Sequence, residues 1–284
     1  MSYQVISHIS ALRERLRHET GIAFVPTMGN LHDGHLALVE LARQHGKCVV
    51  VSIFVNPLQF GPKEDLANYP RTLAQDCAKL EQAGVDVVFT PDESELFPTA
   101  QQFMVDPPPL ANELCGAHRR GHFKGVVTIV LKLFNIMEPD VAVFGKKDYQ
   151  QWHLIRQMVD QLNLPIKVVG GETMRAADGL ALSSRNGYLS ATERAEAVRL
   201  YRHLGNIQSA IQTGDRRFSV LELRARTDLQ VHGWRVDYIS VRAQETLAPA
   251  QPGDTLLVVL AAAWIGRTRL IDNLEICVAP NPAL

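Results

Sequence analysis

The chain has 284 residues, of which 46% are hydrophobic and 21% charged, and its formal net charge is −1. That length asks for two domains, and the near-neutral balance excludes the broad basic field of a nucleic-acid binder. No apolar run approaches the roughly 20 residues that cross a bilayer, and the first residues lack a secretion signal's basic start and apolar stretch, so a cytoplasmic protein with neither nucleic-acid nor membrane partners is expected.

In chain order, the first informative strand is expected over 22–25. It ends against Pro26, whose fixed φ and missing N–H should turn the chain. Pro-Thr-Met-Gly-Asn-Leu-His-Asp-Gly-His then leads into a helix over 36–45 with Leu36, Val39 and Leu41 on its packing face. Gly29 and Gly34 let backbone approach a ligand, the helix start attracts anions, and His32 and His35 can donate to phosphate oxygens. Surface histidines or half of a metal site are the competing readings. Zinc is disfavoured, because no Cys or carboxylate cluster at ligand spacing accompanies the pair.

Further strands are expected over 48–54, 85–89, 141–144 and 166–169, with helices over 66–83, 126–137 and 149–162 between them. The run Val49-Val50-Val51-Ser52-Ile53-Phe54-Val55 is almost continuously apolar, as in a strand covered on both faces. Such alternation predicts an α/β fold with a doubly wound, Rossmann-like parallel sheet and ligands at the carboxyl ends of its strands. Polar segments follow those ends. After the second strand, Gln59 offers a donor and an acceptor to a hydroxyl or carboxylate, or is an ordinary loop glutamine. After the fourth comes Phe-Gly-Lys-Lys-Asp-Tyr-Gln-Gln, where a lysine can neutralise phosphate and Asp148 can meet ribose hydroxyls or cap the next helix. After the fifth, Ser183, Ser184 and Arg185 suit triphosphate oxygens, with a solvated interdomain linker as the alternative.

Past residue 174 the pattern changes. Ser190-Ala191-Thr192-Glu193 is a capping-box sequence expected to open a long helix. A second helix over 219–231 and strands over 236–241, 255–262 and 269–276 predict a smaller α+β domain, with the boundary between residues 174 and 175. Cys48, Cys77, Cys115 and Cys277 are widely spaced, and the apolar settings of Cys48 and Cys277 suggest reduced core thiols.

These segments, with Ser-Ile-Phe-Val-Asn-Pro-Leu-Gln-Phe, Asn-Tyr-Pro-Arg-Thr, Gly-His-Phe-Lys-Gly-Val, Asp-Gly-Leu-Ala-Leu-Ser-Ser-Arg-Asn and Ala-Ala-Ala-Trp-Ile-Gly, run from residue 26 to 266. Together they resemble the pantothenate synthetase (pantoate–β-alanine ligase) family of adenylating nucleotidyltransferases. The resemblance implies an ATP-dependent ligase that makes pantoyl adenylate from pantoate and then transfers the pantoyl group to β-alanine. It implies that Met28, Gly29, Asn30, Leu31, His32, Asp33, Gly34 and His35 line ATP, His32 and His35 on phosphate and His35 in the acid role. Gly145, Lys146, Lys147 and Asp148, with Leu182, Ser183, Ser184 and Arg185, would complete the nucleotide site. Lys147 would contact phosphate and Met174 adenine through its backbone. Gln59 and Gln151 would grip pantoate, with Gln59 also near β-alanine. Magnesium would arrive with ATP, no protein metal site is expected, and the assembly would be a homodimer through the larger domain. The smaller domain would act as a lid, Gly179 and Gly187 supplying backbone freedom. Another adenylyltransferase, or a silent nucleotide-binding protein on the same fold, are the alternative functions.

Overall fold

The structure, a computed structural model, describes residues 3–62 and 64–278. The chain divides into two compact units, residues 1–146 with 151–174, and residues 147–150 with 175–284. The first contains β1 (Gln4–Ile6), α1 (Ile9–Leu16), β2 (Ile22–Thr27), α2 (Asp33–Arg43), β3 (Cys48–Ile53), α3 (Leu73–Gln82), β4 (Val87–Phe89), α4 (Glu93–Leu96), α5 (Cys115–His118), α6 (His122–Met137), β5 (Val141–Gly145), α7 (Tyr149–Gln161, beginning in the 147–150 insert) and β6 (Lys167–Gly171). Its strands pair in the order β1-β4-β3-β2-β5-β6, and every pairing is parallel. The expected doubly wound sheet is present. Ala23, Val25, Val49, Val51, Val88 and Val143 form its apolar layer with Val39, Ala42 and Leu80 of the helices. From β2 the chain first adds strands on one side and later, with β5, on the other. The carboxyl ends of β2 and β5 therefore flank a topological switch point, where an α/β sheet opens a crevice.

In this unit two expectations need correction, and its first two elements were not expected. Pro26 does not end its strand, for β2 runs to Thr27 with Pro26 opposite Ser52. Past Phe24 the ladder to β5 has stopped, so Pro26 bonds on one side only and its missing donor leaves no gap in a central ladder. The helix expected from residue 66 starts at Leu73, because Pro70 interrupts any earlier start. The short β1 and α1 precede every expected element, and at three and eight residues each is too brief to show a period.

The second unit contains α8 (Ala191–Glu196), α9 (Val198–Gln212), α10 (Phe218–Val231), β7 (Arg235–Ala243), β8 (Leu256–Ile265) and β9 (Thr268–Cys277). Ser190 forms the expected capping box with Glu193, but the long helix is divided at Ala197. The strands make an antiparallel β7-β8-β9 sheet, so the smaller α+β architecture is also present. Gly266, at φ +54°, opens the tight β8–β9 turn. Leu204, Ile211 and Leu229 of the helices meet Leu257, Val259 and Ala261 of β8 in the core. Residues 147–150 were expected within the first domain. They group with the second because Asn273 Nδ2 donates to Lys147 O (3.0 Å) and Tyr149 OH donates to Glu275 Oε1 (2.7 Å). Cys48 is buried, and burial pushes its thiol up to about 11, whereas Cys277, expected in a core, is exposed at the end of β9.

Candidate active site

The carboxyl end of β2 carries a turn held from beneath. Thr27 Oγ1 donates to Ser52 O (2.7 Å) and accepts from Gly29 N–H (3.3 Å). Gly29 and Asn30 are both left-handed, at φ +82° and +51°, which glycine and asparagine tolerate best. Asp76 of α3, 1% exposed, accepts from Asn30 N–H and Leu31 N–H at 2.8 Å each and from Thr72 Oγ1 at 3.0 Å. One turn further along α3, Lys79 Nζ donates to Leu31 O (2.6 Å). The turn thus has a carboxylate on its amides and an ammonium on its carbonyl.

It delivers His32 to the N-cap of α2. Gly34 N–H donates to His32 Nδ1 (3.1 Å), and His32 N–H donates to His35 Nδ1 (3.3 Å). The ring centroids lie 4.2 Å apart. An Nδ1 that accepts a hydrogen bond is unprotonated, so each neutral imidazole carries its hydrogen on Nε2. Both rings are fixed as Nε2–H donors beside a helix N-terminus, where amides and dipole favour an anion. The carboxylate of Asp33 is exposed on the first turn of α2 and opposes that preference, so only its backbone suits a phosphate.

Gln59 ends the 3-10 turn Pro57–Gln59 and is 9% exposed. Asn56 caps that turn by accepting from Leu58 N–H (3.2 Å), and its Nδ2 donates to Gln59 Oε1 (3.0 Å) and Gly125 O (3.3 Å). A Cβ on Gly125 would stand 2.1 Å from Leu58 O, so the absent side chain lets α6 press on the turn. With its oxygen engaged, Gln59 presents its amide N–H, one of which reaches Met28 Sδ at 3.1 Å. The sequence allowed either polarity; the structure selects the donor. Behind it, Arg119 Nη1 lies 2.8 Å from His122 Nε2, and His122 Nδ1 lies 2.9 Å from Gln59 O. Arginine can only donate, so His122 accepts at Nε2 and donates from Nδ1. Arg119 also makes a bidentate pair with Glu64. Burial raises the Glu64 pKa, yet the bond and charge of Arg119 outweigh it and hold the carboxyl below its ordinary value. Gln151 is half-buried on the first turn of α7, and no hydrogen bond joins it to Gln59 among the described residues.

At the end of β5, Gly145 is half-buried and Lys146 Nζ donates to Glu172 Oε1 (2.6 Å) while standing 5.7 Å from the Trp152 ring centre. Met174, 43% exposed, follows β6. In the second unit, Lys147 Nζ is 3.7 Å from Asp148 Oδ2. Ser183 Oγ accepts from Arg185 N–H (3.3 Å) and so caps the 3-10 turn Ser184–Tyr188. Leu182, Ser184 and Arg185 are half-buried beside it. Gly179 was expected to provide freedom of motion; at φ +98° its absent Cβ makes room for the Tyr201 ring, 2.5 Å from where that atom would sit. Met28 to His35, Gln59, Gly145, Lys146, Gln151 and Met174 therefore belong to the first unit, and Lys147, Asp148 and Leu182 to Arg185 to the second.

Asn56 and His122 lie in segments that carried the resemblance but were given no role, and Asp76 and Arg119 had no part in the sequence reading. Asp76 had a signal, for it occupies the position of α3 one turn before Leu80, on the stripe that faces the core.

A family model described as Pantoate-beta-alanine ligase matches residues 4–275. The chain belongs to this family. It is 60% identical over 272 residues to the pantothenate synthetase of Nitrosospira multiformis, covering 96% of this chain and 98% of that one. To the pantothenate synthetase of Methylobacillus flagellatus it is 60% identical over 278 residues, covering 98% and 100%. Among solved structures, pantothenate synthetase from Thermus thermophilus superposes with a TM-score of 0.92 at 44% identity, covering 96% of this chain and 99% of the other. Pantoate-beta-alanine ligase from Francisella tularensis, described as complexed with beta-gamma ATP and beta-alanine, gives a TM-score of 0.81 at 34% identity, with 96% and 97% covered.

Proposed function

We propose that this chain joins pantoate to β-alanine at the expense of ATP, through a pantoyl adenylate. A carboxylate does not acylate an amine at neutral pH, because oxide is too poor a leaving group. A pantoate carboxylate oxygen attacks the α-phosphorus, and the bond to the bridging oxygen breaks to release pyrophosphate. The β-alanine amine then attacks the activated carbonyl, loses a proton, and expels AMP to leave pantothenate. The observation that carries this reading is the pair of Nε2–H imidazoles fixed at the start of α2, at the switch point of the sheet. Donors held in place before the reaction stabilise charge that grows on phosphate in the transition state.

In this reading His32 and His35 meet phosphate oxygens, and His35, given the acid role by the family resemblance, acts as a neutral Nε2–H hydrogen-bond donor toward the departing pyrophosphate. Lys147, Ser183, Ser184 and Arg185 meet triphosphate oxygens, Met174 meets adenine through its backbone, and the Gln59 amide donates to an oxygen of pantoate with Gln151 as a second grip. Lys146 contributes through its backbone, since its ammonium is committed to Glu172. Magnesium belongs to the nucleotide. Among the described residues no three His, Cys, Asp or Glu side chains gather into a metal-holding group, and Mg²⁺ is commonly carried by phosphate and water. The protein is proposed to work in the cytoplasm as a homodimer. Among the described residues no helix is long and apolar enough to cross a membrane.

The test is exchange of labelled pyrophosphate into ATP. It should require pantoate, and pantothenate should appear once β-alanine is added. Exchange driven equally well by an amino acid would assign the chain to a different adenylating activity.

A further inference from the structure

The two nucleotide-handling segments of the second unit rest on one pair of neighbours in β9. Asp272 and Asn273 are 5% and 6% exposed. Successive residues of a strand face opposite sides of the sheet, so the two side chains serve different segments. Asp272 receives Arg175 in a bidentate pair, Nη1 to Oδ2 at 2.7 Å and Nη2 to Oδ1 at 2.8 Å. Its Oδ1 also accepts from Asn273 N–H at 2.8 Å, which fixes the plane of the carboxylate. Arg175 passes that orientation on. Its Nη1 donates to Gly179 O (3.1 Å), its Nη2 to Asn273 O (3.1 Å), and its guanidinium lies 4.0 Å from the centre of the Tyr201 ring. A bridge from Arg175 to Ala181 closes this loop, and Asn186 Nδ2 ties the following turn to Ala181 O (3.0 Å). Ser183, Ser184 and Arg185 lie between those ties. The Asn273 side chain holds the other segment, donating from Nδ2 to Lys147 O at 3.0 Å. Two residues along the strand, Glu275 receives Tyr149 OH.

We propose that Asp272 and Asn273 are positioning residues for the nucleotide chemistry. Asn273 sets the carbonyl, and hence the direction, of Lys147; Asp272 acts through Arg175 to set the loop of Ser183, Ser184 and Arg185. What they supply beyond packing is orientation, because a bidentate carboxylate fixes a guanidinium plane and a carbonyl bond fixes a peptide plane. The inference rests on the reading that Lys147 and Arg185 meet ATP.

A double-mutant cycle of Asn273→Ala with Lys147→Ala tests it. Each variant is read twice, by pantoate-dependent pyrophosphate exchange and by ATP affinity in calorimetry. Asn273→Ala should weaken nucleotide use by about five- to tenfold, the worth of one hydrogen bond, with the Michaelis constant for pantoate unchanged. In the Lys147→Ala background it should cost nothing more. Losses that multiply in full, or an Asn273→Ala protein that handles ATP as the wild type does, overturn the proposal. Asp272→Asn with Arg185→Ala should be equally non-additive; if Asp272→Asn does not fold, the Asn273 cycle decides alone. A wild type that binds ATP without pantoate-dependent exchange retires the ligase reading, and the cycle is still read from affinity. A wild type that binds no ATP overturns both.

Discussion

In the proposed function His35 has two jobs for its two nitrogens. Nδ1 accepts the His32 amide and so caps α2, while Nε2 carries the hydrogen that a phosphate oxygen would receive. The jobs can be separated. His35→Ala should lower turnover in pyrophosphate exchange by about 10²–10³-fold and cost roughly 1 kcal/mol of stability through the lost cap. His35→Asn places an acceptor near the former Nδ1 and nothing at Nε2, so it should regain the stability and remain slow. Thermal melts beside exchange rates check this, and an Asn variant as fast as the wild type would remove the donor role. Gln59 is a second residue whose polarity was decided by a neighbour, since Asn56 occupies its oxygen. Gln59→Ala and Gln151→Ala should raise the Michaelis constant for pantoate by a factor equivalent to about 1–3 kcal/mol while leaving that for ATP near wild type. Steady-state titration of each substrate measures this, and an effect confined to ATP would reassign both glutamines.

At the scale of elements, α3 shows how a neighbouring helix can hold the turn that precedes His32. Asp76 meets two consecutive amides of the left-handed turn before His32. In Asp76→Asn one oxygen remains, and an NH₂ faces an amide that had been accepted, at a cost of about 1–3 kcal/mol. The amides of Asn30 and Leu31 should lose hydrogen-exchange protection before those of β2; unchanged protection would mean that the carboxylate does not hold the turn. Helix α7 offers a pH test. His153 is 3% exposed, its Nε2 has no hydrogen-bond partner among the described residues, and burial followed by the charge of Arg156 lowers its pKa to about 4. An unfolded histidine titrates near 6.5, so between pH 6.5 and 4 the unfolded chain binds the extra proton. The stability owed to the neutral ring is complete above 6.5 and is lost as pH falls to 4, on the order of 1–3 kcal/mol in all. Denaturant melts across that range should show the slope, and His153→Phe should flatten it; a parallel pH dependence in the variant would place the effect elsewhere. Element identity was legible for β2 to β6 and the three late strands, because short apolar or alternating runs bounded by turn residues mark them. The reach of β2 through Pro26 was not, since it depends on whether β5 is still paired there.

At the scale of the molecule, solution scattering should give twice the mass of one chain, and Arg185→Ala should weaken ATP use without altering that mass. A monomer would remove the homodimer, and an Arg185 variant that uses ATP normally would remove that residue from the nucleotide site. The division into units carries the lesson about sequence and structure. Apolar periodicity and turn residues were enough to predict a doubly wound sheet and a smaller α+β domain, and the quoted segments, through their resemblance, the family to which the chain belongs, because those features are local in the chain. Tertiary structure alone decided that Lys147 groups with the second unit and Lys146 with the first, that Gln59 presents a donor, and that Asp76, His122, Asp272 and Asn273 lie behind the candidate ligands. The physical reason is the same in each case. A hydrogen bond fixes polarity and direction only once both partners are in place, and these partners are separated by between 3 and 126 positions along the chain.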